Sequence, residues 1–328
     1  MRPLRKRPDL AILMITVRLK GLVLACCLAA LPSCAQEEEL HASSQPALEE
    51  ELQASSQPAL EEELQTSGQP ALEERVVCLG GSLTEIVYAL GRGDWVIGTD
   101  TSSSYPEPVH DLPKVGYHRA FSAEGVMSLE PTLVLHTSES GPQTALDQLA
   151  ELGVELYEVP KAHDEDTAFE SILTVGSLLG ERERAGEIVG QLKRDLALVR
   201  ELRQETQGEP GVVFLYGRGG GTLMIGGRGT TAEYMIKLAG CTNLAQDFEG
   251  YKPYSAEVFA TLDPDFVLMM SHGLESVGGV SAILDTPGVN LTRVNTEDRI
   301  VHIEDLKLLG FGPRMGEGAL ELFEATRR

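Results

Sequence analysis

The sequence predicts an α/β protein in which two doubly wound α/β lobes are joined by one long helix. Short apolar segments of strand length alternate with helical segments over residues 75–164 and again over 206–328, which is the pattern of doubly wound sheets. Residues 165–205 differ, because their apolar side chains recur at helical spacing with one main interruption at Gly180. This segment predicts a nearly continuous helix between the two lobes.

The first 33 residues are typical of a secretory signal peptide. Arg18 and Lys20 precede an apolar run over residues 21–31, which is too short to span a bilayer. The run ends in Leu-Pro-Ser-Cys, which resembles the bacterial lipobox, so Cys34 is expected to carry the lipid of a mature lipoprotein. We therefore expect an extracytoplasmic protein with a lipid anchor in the membrane; the alternative is a cleaved signal without lipid.

Residues 34–74 are expected to form a disordered acidic tether. A 12-residue unit repeats three times from residue 40, and each copy combines Pro, Ser and Glu with few apolar side chains. The tether holds eleven Glu between residues 35 and 75, so it contributes much of the net charge of −23. The chain lacks the concentrated basic surface that nucleic acid requires. We expect no nucleic-acid partner, and a monomer.

Each lobe has predicted strands and helices in alternation. In the first lobe the predicted strands are 75–79, 95–98, 132–136 and 154–159, and the predicted helices are 83–90, 122–129 and 145–152. In the second lobe the predicted strands are 212–216, 266–270 and 300–303, and the predicted helices are 231–238, 280–284 and 315–326. Cys78 and Cys241 are the cysteines of the folded part, and the sequence leaves open whether they form a disulfide.

Three segments carry a resemblance to a known family. They are RVVCLGGSLTEIVYALG (75–91), DTSSSYPEPVHDLPKVGYHRAFSAEGVMSLEPTLVL (100–135) and SAEVFATLDPDFVLM (255–269). They resemble the haem-binding members of the ABC-importer substrate-binding proteins with a helical backbone, a class shared with cobalamin and siderophore binders. The resemblance covers residues 75–328. It implies a ligand cleft between the lobes, haemin as the transported ligand, delivery to an ABC permease dimer, and no enzymatic activity.

Two Tyr-x-Arg pairs are candidate ligands for haem iron. Ferric iron favours an anionic oxygen donor, and a nearby cation favours the phenolate over the phenol. The resemblance implies that Tyr117 is the axial ligand and that Arg119 stabilises it. In an extended backbone the two side chains would share one face. The second pair, Tyr216 and Arg218, follows the first strand of the second lobe.

The second pair suggests a different arrangement. Some haem binders of this class hold iron between a His of one lobe and a Tyr of the other, and His136 with Tyr216 would match that description. The sequence leaves open which tyrosine is axial and whether one or two haems bind. Tyr105, Tyr251 and Tyr254 lie near strand ends, where they could stack on a porphyrin face.

The resemblance also implies one surface glutamate on each lobe that docks against arginines of the permease. Glu85 in SLTEIVYALG and Glu257 in YSAEVFATLDPD are expected to be this pair, which would provide steering and register. Glu85 also completes a capping box with Ser82 at the start of the predicted helix 83–90.

There are two alternatives to haem transport. A cobalamin or ferric-siderophore binder on the same scaffold is the nearer one; the single Trp argues mildly against the broad aromatic walls that cobalamin needs. An exported hydrolase is the other, but the sequence has neither a Gly-x-Ser-x-Gly elbow nor a His-Glu-x-x-His zinc motif.

Overall fold

The computed structural model describes residues 74–217 and 222–327. The predicted signal peptide, the lipidation site Cys34, the tether up to residue 73 and Arg218 lie outside the described residues. Within the described part, no helix combines the length and the apolar character needed to cross a membrane.

The first lobe is built on a four-stranded parallel sheet. Its strands are β1 (Val76–Leu79), β2 (Val96–Thr99), β5 (Leu133–His136) and β6 (Glu155–Glu158), in the spatial order β2-β1-β5-β6. Its helices are α1 (Gly81–Ala89), α2 (Ala123–Met127) and α3 (Gln143–Glu151). The central strands β1 and β5 are buried on both faces, which explains why their apolar residues are continuous rather than alternating.

A short hairpin stands at the carboxyl end of this sheet. It consists of β3 (Gly116–Tyr117) and β4 (Ala120–Phe121), and Tyr117 pairs with Ala120 across a turn at His118 and Arg119. Gly116 precedes the turn with φ of 108°, a left-handed conformation that favours glycine. The hairpin therefore presents Tyr117 and the two turn residues beyond the strand ends.

The segment between the lobes is a helical hairpin, and the predicted near-continuous helix over 165–205 is wrong in its extent. Helix α4 (Glu165–Leu178) ends before Gly180, whose φ is 75°, and α5 (Arg182–Glu205) runs back along it. Arg200 pairs with Glu165, and Lys193 lies 4.9 Å from the ring centre of Phe169, so the two helices are antiparallel. The one long helix that joins the lobes is α5, with 24 residues.

The second lobe has a mixed six-stranded sheet. Its strands are β7 (Gly211–Gly217), β8 (Leu223–Gly226), β9 (Thr242–Asn243), β10 (Tyr251–Pro253), β11 (Phe266–Met270) and β12 (Ile300–Ile303). The main order is β10-β8-β7-β11-β12, where β8 is antiparallel to both of its neighbours and β9 pairs with β7. The helices are α6 (Thr231–Leu238), α7 (Ala256–Leu262), α8 (Ser271–Ser276), α9 (Gly279–Leu284), α10 (Asp305–Leu309) and α11 (Met315–Ala325).

One hydrophobic core runs through both lobes. It includes Val76 and Leu135 of the first sheet, Val212 and Phe214 of the second sheet, and Leu196 of α5, all of them fully buried. Because this cluster spans the two sheets and the helix between them, the lobes share a core instead of depending on a flexible linker. The predicted fold class, two α/β lobes joined by a long helix, is confirmed.

Candidate functional site

Tyr117 is an exposed residue of the β3–β4 hairpin, with 44% of its surface accessible. The turn at His118 and Arg119 corrects the expectation that an extended backbone places Arg119 on the same face as Tyr117. Arg119 nevertheless lies close enough for its charge to act on the phenol. Burial has the larger effect and raises the pKa of Tyr117, whereas the Arg119 guanidinium lowers it; the resulting pKa lies above the ordinary value.

Arg119 is held by two neighbours at the rim of the site. Its Nε donates to Nε2 of His118 at 3.4 Å, and its Nη2 forms an ion pair with Glu139. Lys161 lies 2.5 Å from the other oxygen of Glu139. Burial opposes ionisation of Glu139, but Lys161 and Arg119 outweigh it and hold the pKa of this carboxyl below its usual range. One carboxylate therefore restrains two cations beside Tyr117.

Asp100 is a buried residue that holds the hairpin through hydrogen bonds. Its side chain is fully buried, and its carboxylate accepts a hydrogen bond from the backbone N–H of Gly80 at 3.1 Å and one from Nδ1 of His118 at 3.1 Å. Ser102 and Ser103 donate to it as well, at 2.6 and 2.8 Å. Burial alone would raise the pKa of Asp100, but these hydrogen bonds outweigh burial and lower it.

Tyr216 of the second lobe is half-buried near the end of β7. It contributes to the raised pKa of Tyr117, so the two phenols lie within electrostatic range of each other. The rings of Tyr216 and Tyr251 lie 5.7 Å apart between centroids, and burial raises the pKa of Tyr251. The structure therefore places Tyr216 next to Tyr251 of β10, with Tyr117 within electrostatic range of Tyr216.

His136 and Tyr254 lie elsewhere. His136 is buried and lines a groove of about 230 Å³ together with Gln143 and Asp147 of α3. Its Nδ1 is 3.2 Å from the carbonyl oxygen of Thr137, and the residues of this groove include neither Tyr117 nor Tyr216. The reason is strand register: Val134 on β5 packs toward α2 and α3, and His136, two residues later, shares that face.

Tyr254 contributes to packing of the second lobe. Its hydroxyl donates to the carbonyl oxygen of Pro287 at 2.8 Å, and its ring lies 5.5 Å from that of Phe259. Burial raises the pKa of Tyr254 to about 12. Its contacts therefore belong to the core of the second lobe rather than to the hairpin.

Glu85 corrects the expectation of a surface docking residue. It is 2% exposed, and its two oxygens accept hydrogen bonds from Nε and Nη2 of Arg314, each at 3.0 Å. The predicted capping box is also absent, because α1 begins at Gly81 with no side-chain cap. Arg314 is supplied by the second lobe, so Glu85 serves a contact between lobes. Burial raises its pKa, against the opposing effect of Arg314.

A better match to Glu257 is Glu124, which the sequence reasoning missed. Glu124 and Glu257 are both exposed, and each lies in the first turn of a short helix that follows a strand-like segment. Ser122 caps the first helix and Ser255 caps the second, in both cases by accepting a hydrogen bond from the backbone N–H three residues later. The signal was present in the sequence as a repeated Ser-Ala-Glu.

In the described ranges, no three His, Cys, Asp or Glu side chains are grouped so that they could hold a metal ion. The groups that converge at the hairpin are instead phenols, a guanidinium and a neutralising carboxylate. Such a set can coordinate an iron that carries its own equatorial ligands, through one phenolate oxygen, and can bind carboxylates through its cations.

Comparisons with known proteins show the family to which the chain belongs. The family model described as periplasmic binding protein matches residues 76–305. The structure is similar to that of the periplasmic haem-binding protein RhuT from Roseiflexus sp. RS-1, with 38% identity, a TM-score of 0.73, and coverage of 77% of this chain and 99% of RhuT. The structure is also similar to that of the periplasmic haem-binding protein BhuT, which was solved in complex with two haems. The identity is 36% and the TM-score 0.71, and the match covers 77% of this chain and 99% of BhuT.

Curated relatives are substrate-binding proteins too. The ABC transporter substrate-binding lipoprotein YvrC of Bacillus subtilis is 29% identical over 254 residues, which is 76% of this chain and 79% of YvrC. The vitamin B12-binding protein of Yersinia pestis is 28% identical over 209 residues, covering 63% of this chain and 73% of the relative. These relatives are transport proteins and not enzymes, as predicted. The chain belongs to the periplasmic binding protein family, and within it resembles the haem-binding substrate-binding proteins of ABC importers.

Proposed function

We propose that this protein binds haemin outside the cytoplasm and delivers it to an ABC importer. The observation that carries the proposal is that the exposed phenol of Tyr117 lies within electrostatic range of both the guanidinium of Arg119 and the phenol of Tyr216 in the other lobe. The similarity to RhuT and BhuT, both described as haem-binding, supports the same ligand.

Tyr117 is the proposed iron ligand of the first lobe. Coordination to ferric iron requires the phenolate, and the metal charge, together with Arg119, supplies the stabilisation that the buried phenol lacks. Tyr216 approaches from the opposite wall, and Tyr251 provides an apolar face for the porphyrin. Arg218, two residues after Tyr216, is assigned a supporting role from its spacing in the sequence alone.

Lys161 and Arg119 are the proposed partners of the haem propionates at the rim. Both cations are partly exposed and share Glu139, so each retains hydrogen-bonding capacity toward a ligand. A propionate carboxylate would replace part of the charge that Glu139 now supplies.

Glu124 and Glu257 are the proposed docking residues for the permease. Their equivalent positions on capped short helices, one in each lobe, would offer a dimeric permease two similar acidic contacts. Charges of this kind at an interface rim steer association and fix register more than they add affinity.

Lipid anchoring through Cys34 is the proposed means of keeping the protein at the membrane. The lipobox-like Leu-Pro-Ser-Cys supports it, as does the description of the relative YvrC as a lipoprotein.

A haemin titration tests the proposal. The mature chain carrying Cys34→Ser is titrated with haemin, and absorption and resonance Raman spectra are recorded. We expect stoichiometric binding with the charge-transfer bands of a ferric tyrosinate, and loss of those bands in Tyr117→Phe. A wild-type spectrum without tyrosinate bands, or one that survives both Tyr117→Phe and Tyr216→Phe, would sink the proposal.

Cobalamin is the second candidate ligand, because a vitamin B12-binding protein is among the relatives. Competition distinguishes the two. If cyanocobalamin displaces haemin at comparable concentration, the site is a general tetrapyrrole site; if it does not, haemin is the specific ligand.

A further inference from the structure

The buried carboxylate of Asp100 connects three segments around the hairpin. Its Oδ1 accepts hydrogen bonds from Gly80, after β1, and from Ser103. Its Oδ2 accepts them from the backbone N–H and the hydroxyl of Ser102, and from the backbone N–H and the ring of His118 in the hairpin turn. All of these partners act as donors, which matches an ionised carboxylate that accepts at both oxygens.

His118 transmits this anchoring to the site. Nδ1 of His118 is directed at Asp100, and Nε2 of the same ring accepts a hydrogen bond from Nε of Arg119 at 3.4 Å. On its other side, the ring of His118 lies 4.3 Å from the ring centre of Tyr117, tilted by 56°. One imidazole therefore contacts both the proposed iron ligand and its supporting cation.

The backbone of the hairpin has separate supports. Gly141 donates to the carbonyl oxygen of His118 at 2.8 Å, and Thr101 donates to that of Gly116 at 2.9 Å. The hairpin would therefore persist without Asp100, whereas the orientation of the His118 ring would lose its only carboxylate partner in the described part of the chain.

We propose that Asp100 is a positioning residue for haemin binding, which acts through His118 to fix Tyr117 and Arg119 relative to each other. The inference rests on the proposed function. Without the Asp100 contact the His118 ring rotates, Arg119 loses its acceptor and follows Glu139 toward solvent, and Tyr117 loses both its ring neighbour and its cation.

The variant Asp100→Asn tests this inference. An amide group in place of Oδ2 would set N–H donors against the N–H groups of Ser102 and His118, so the link to the hairpin is broken with little change in volume. We expect haemin to dissociate at least tenfold faster and the tyrosinate charge-transfer band to shift. The matched control is Asp265→Asn, because Asp265 accepts from the backbone of Gly211 in the second lobe, away from the hairpin. We expect wild-type binding and spectra from it.

Two further variants test whether Asp100 acts through His118. His118→Phe keeps a ring against Tyr117 but removes the links to Asp100 and Arg119, so it should reproduce the defect even if Asp100→Asn fails to fold. The double variant should release haemin no faster than either single variant, because both substitutions remove the same contact between Asp100 and His118. If Asp100→Asn or His118→Phe keeps the wild-type spectrum and haemin dissociation rate, this inference is wrong and the proposed function is unaffected. The same holds if the defects of the two variants add in the double variant. Absence of haemin binding by the wild type overturns the proposed function and this inference with it.

Discussion

At the scale of single residues, the site is governed by competition for the charge of Arg119. The guanidinium lowers the pKa of Tyr117, whereas the carboxylate of Glu139, with which Arg119 forms an ion pair, raises it. Burial raises that pKa by more than the guanidinium lowers it, so Tyr117 stays protonated well into the alkaline range. The phenolic proton must therefore leave when iron binds.

Removing the charge of Glu139 should lower the pKa of Tyr117. In Glu139→Gln the carboxylate no longer raises that pKa, and Arg119 is free to face the phenol, so both changes act in the same direction. NMR titration of ring-labelled tyrosines measures the effect. Glu151→Gln, on the exposed side of α3, is the control and should leave the titration unchanged. A Tyr117 pKa that is unchanged or higher in Glu139→Gln would contradict this account.

The sequence predicts candidate residues where the signal is local. Tyr117 and Tyr216 are predicted from a motif and a strand end, and Arg119 from its spacing to Tyr117; their binding of haemin stays a prediction. Sequence reasoning failed for Glu85, because the partner that buries this residue, Arg314, lies 229 positions away. It also missed Asp100 and Glu139, whose roles depend on loops that meet only in the folded protein.

At the scale of elements, the helical pair α4 and α5 shows what periodicity can and cannot predict. Apolar spacing over residues 165–205 correctly predicted helix. It could not tell a continuous helix from a helical hairpin, because both arrangements bury one apolar face. The structure has a helical hairpin, because Gly180 has a left-handed φ of 75° and a residue in this conformation ends a helix.

Two glycine substitutions test the helical hairpin. Gly180→Ala puts a side chain at a left-handed position and should destabilise the protein by about 1–2 kcal/mol. Gly186→Ala is the matched control: it lies inside α5, where an added Cβ meets nothing within 4 Å. It should stabilise by about 0.5–1 kcal/mol. Urea denaturation measures both values. Equal effects of the two substitutions would contradict a turn at Gly180.

At the scale of the whole molecule, a buried ion pair joins the lobes. Besides Glu85, the guanidinium of Arg314 contacts Glu304 at 3.0 Å and lies 3.5 Å from the ring centre of Tyr105 in the first lobe. Together with the shared hydrophobic core, these contacts fix the relative position of the lobes and hence of Tyr117 and Tyr216.

Removing one partner of this ion pair should destabilise the folded protein. Arg314→Met leaves the carboxylate of Glu85 buried without its partner, and the expected loss is about 3–5 kcal/mol of unfolding free energy. The double variant with Glu85→Gln should recover part of that loss, because the unpaired charge is gone. Denaturant titrations of the three variants measure the coupling. Strictly additive losses would show that the two residues do not act as a pair.

Docking to the permease involves both lobes at once. Glu124→Arg and Glu257→Arg should each slow haem transfer into permease-containing vesicles and, when combined, abolish it, while haemin binding in solution stays unchanged. Glu183→Arg, a charge reversal in the first turn of α5, is the control and should transfer haem normally. Normal transfer by the double variant would exclude these two glutamates as the docking pair.

The fold was predictable because the strands of both lobes appear in the sequence as short apolar runs and the helices as apolar residues at helical spacing. The antiparallel strands β8 and β10 were missed, since β8 follows a Gly-rich run in the sequence and β10 is an exposed edge strand of three residues. The pairing of Tyr216 with Tyr251 depends on β10 and was therefore beyond the sequence alone.

A crystal structure of the haemin complex would show which residue of the protein binds the iron. We predict haemin between the lobes, with its iron bonded to the phenolic oxygen of Tyr117, Arg119 beside that oxygen, and Tyr216 on the opposite face. Iron bonded to His136 in the groove beside α3, or haemin bound outside the space between Tyr117 and Tyr216, would contradict the account.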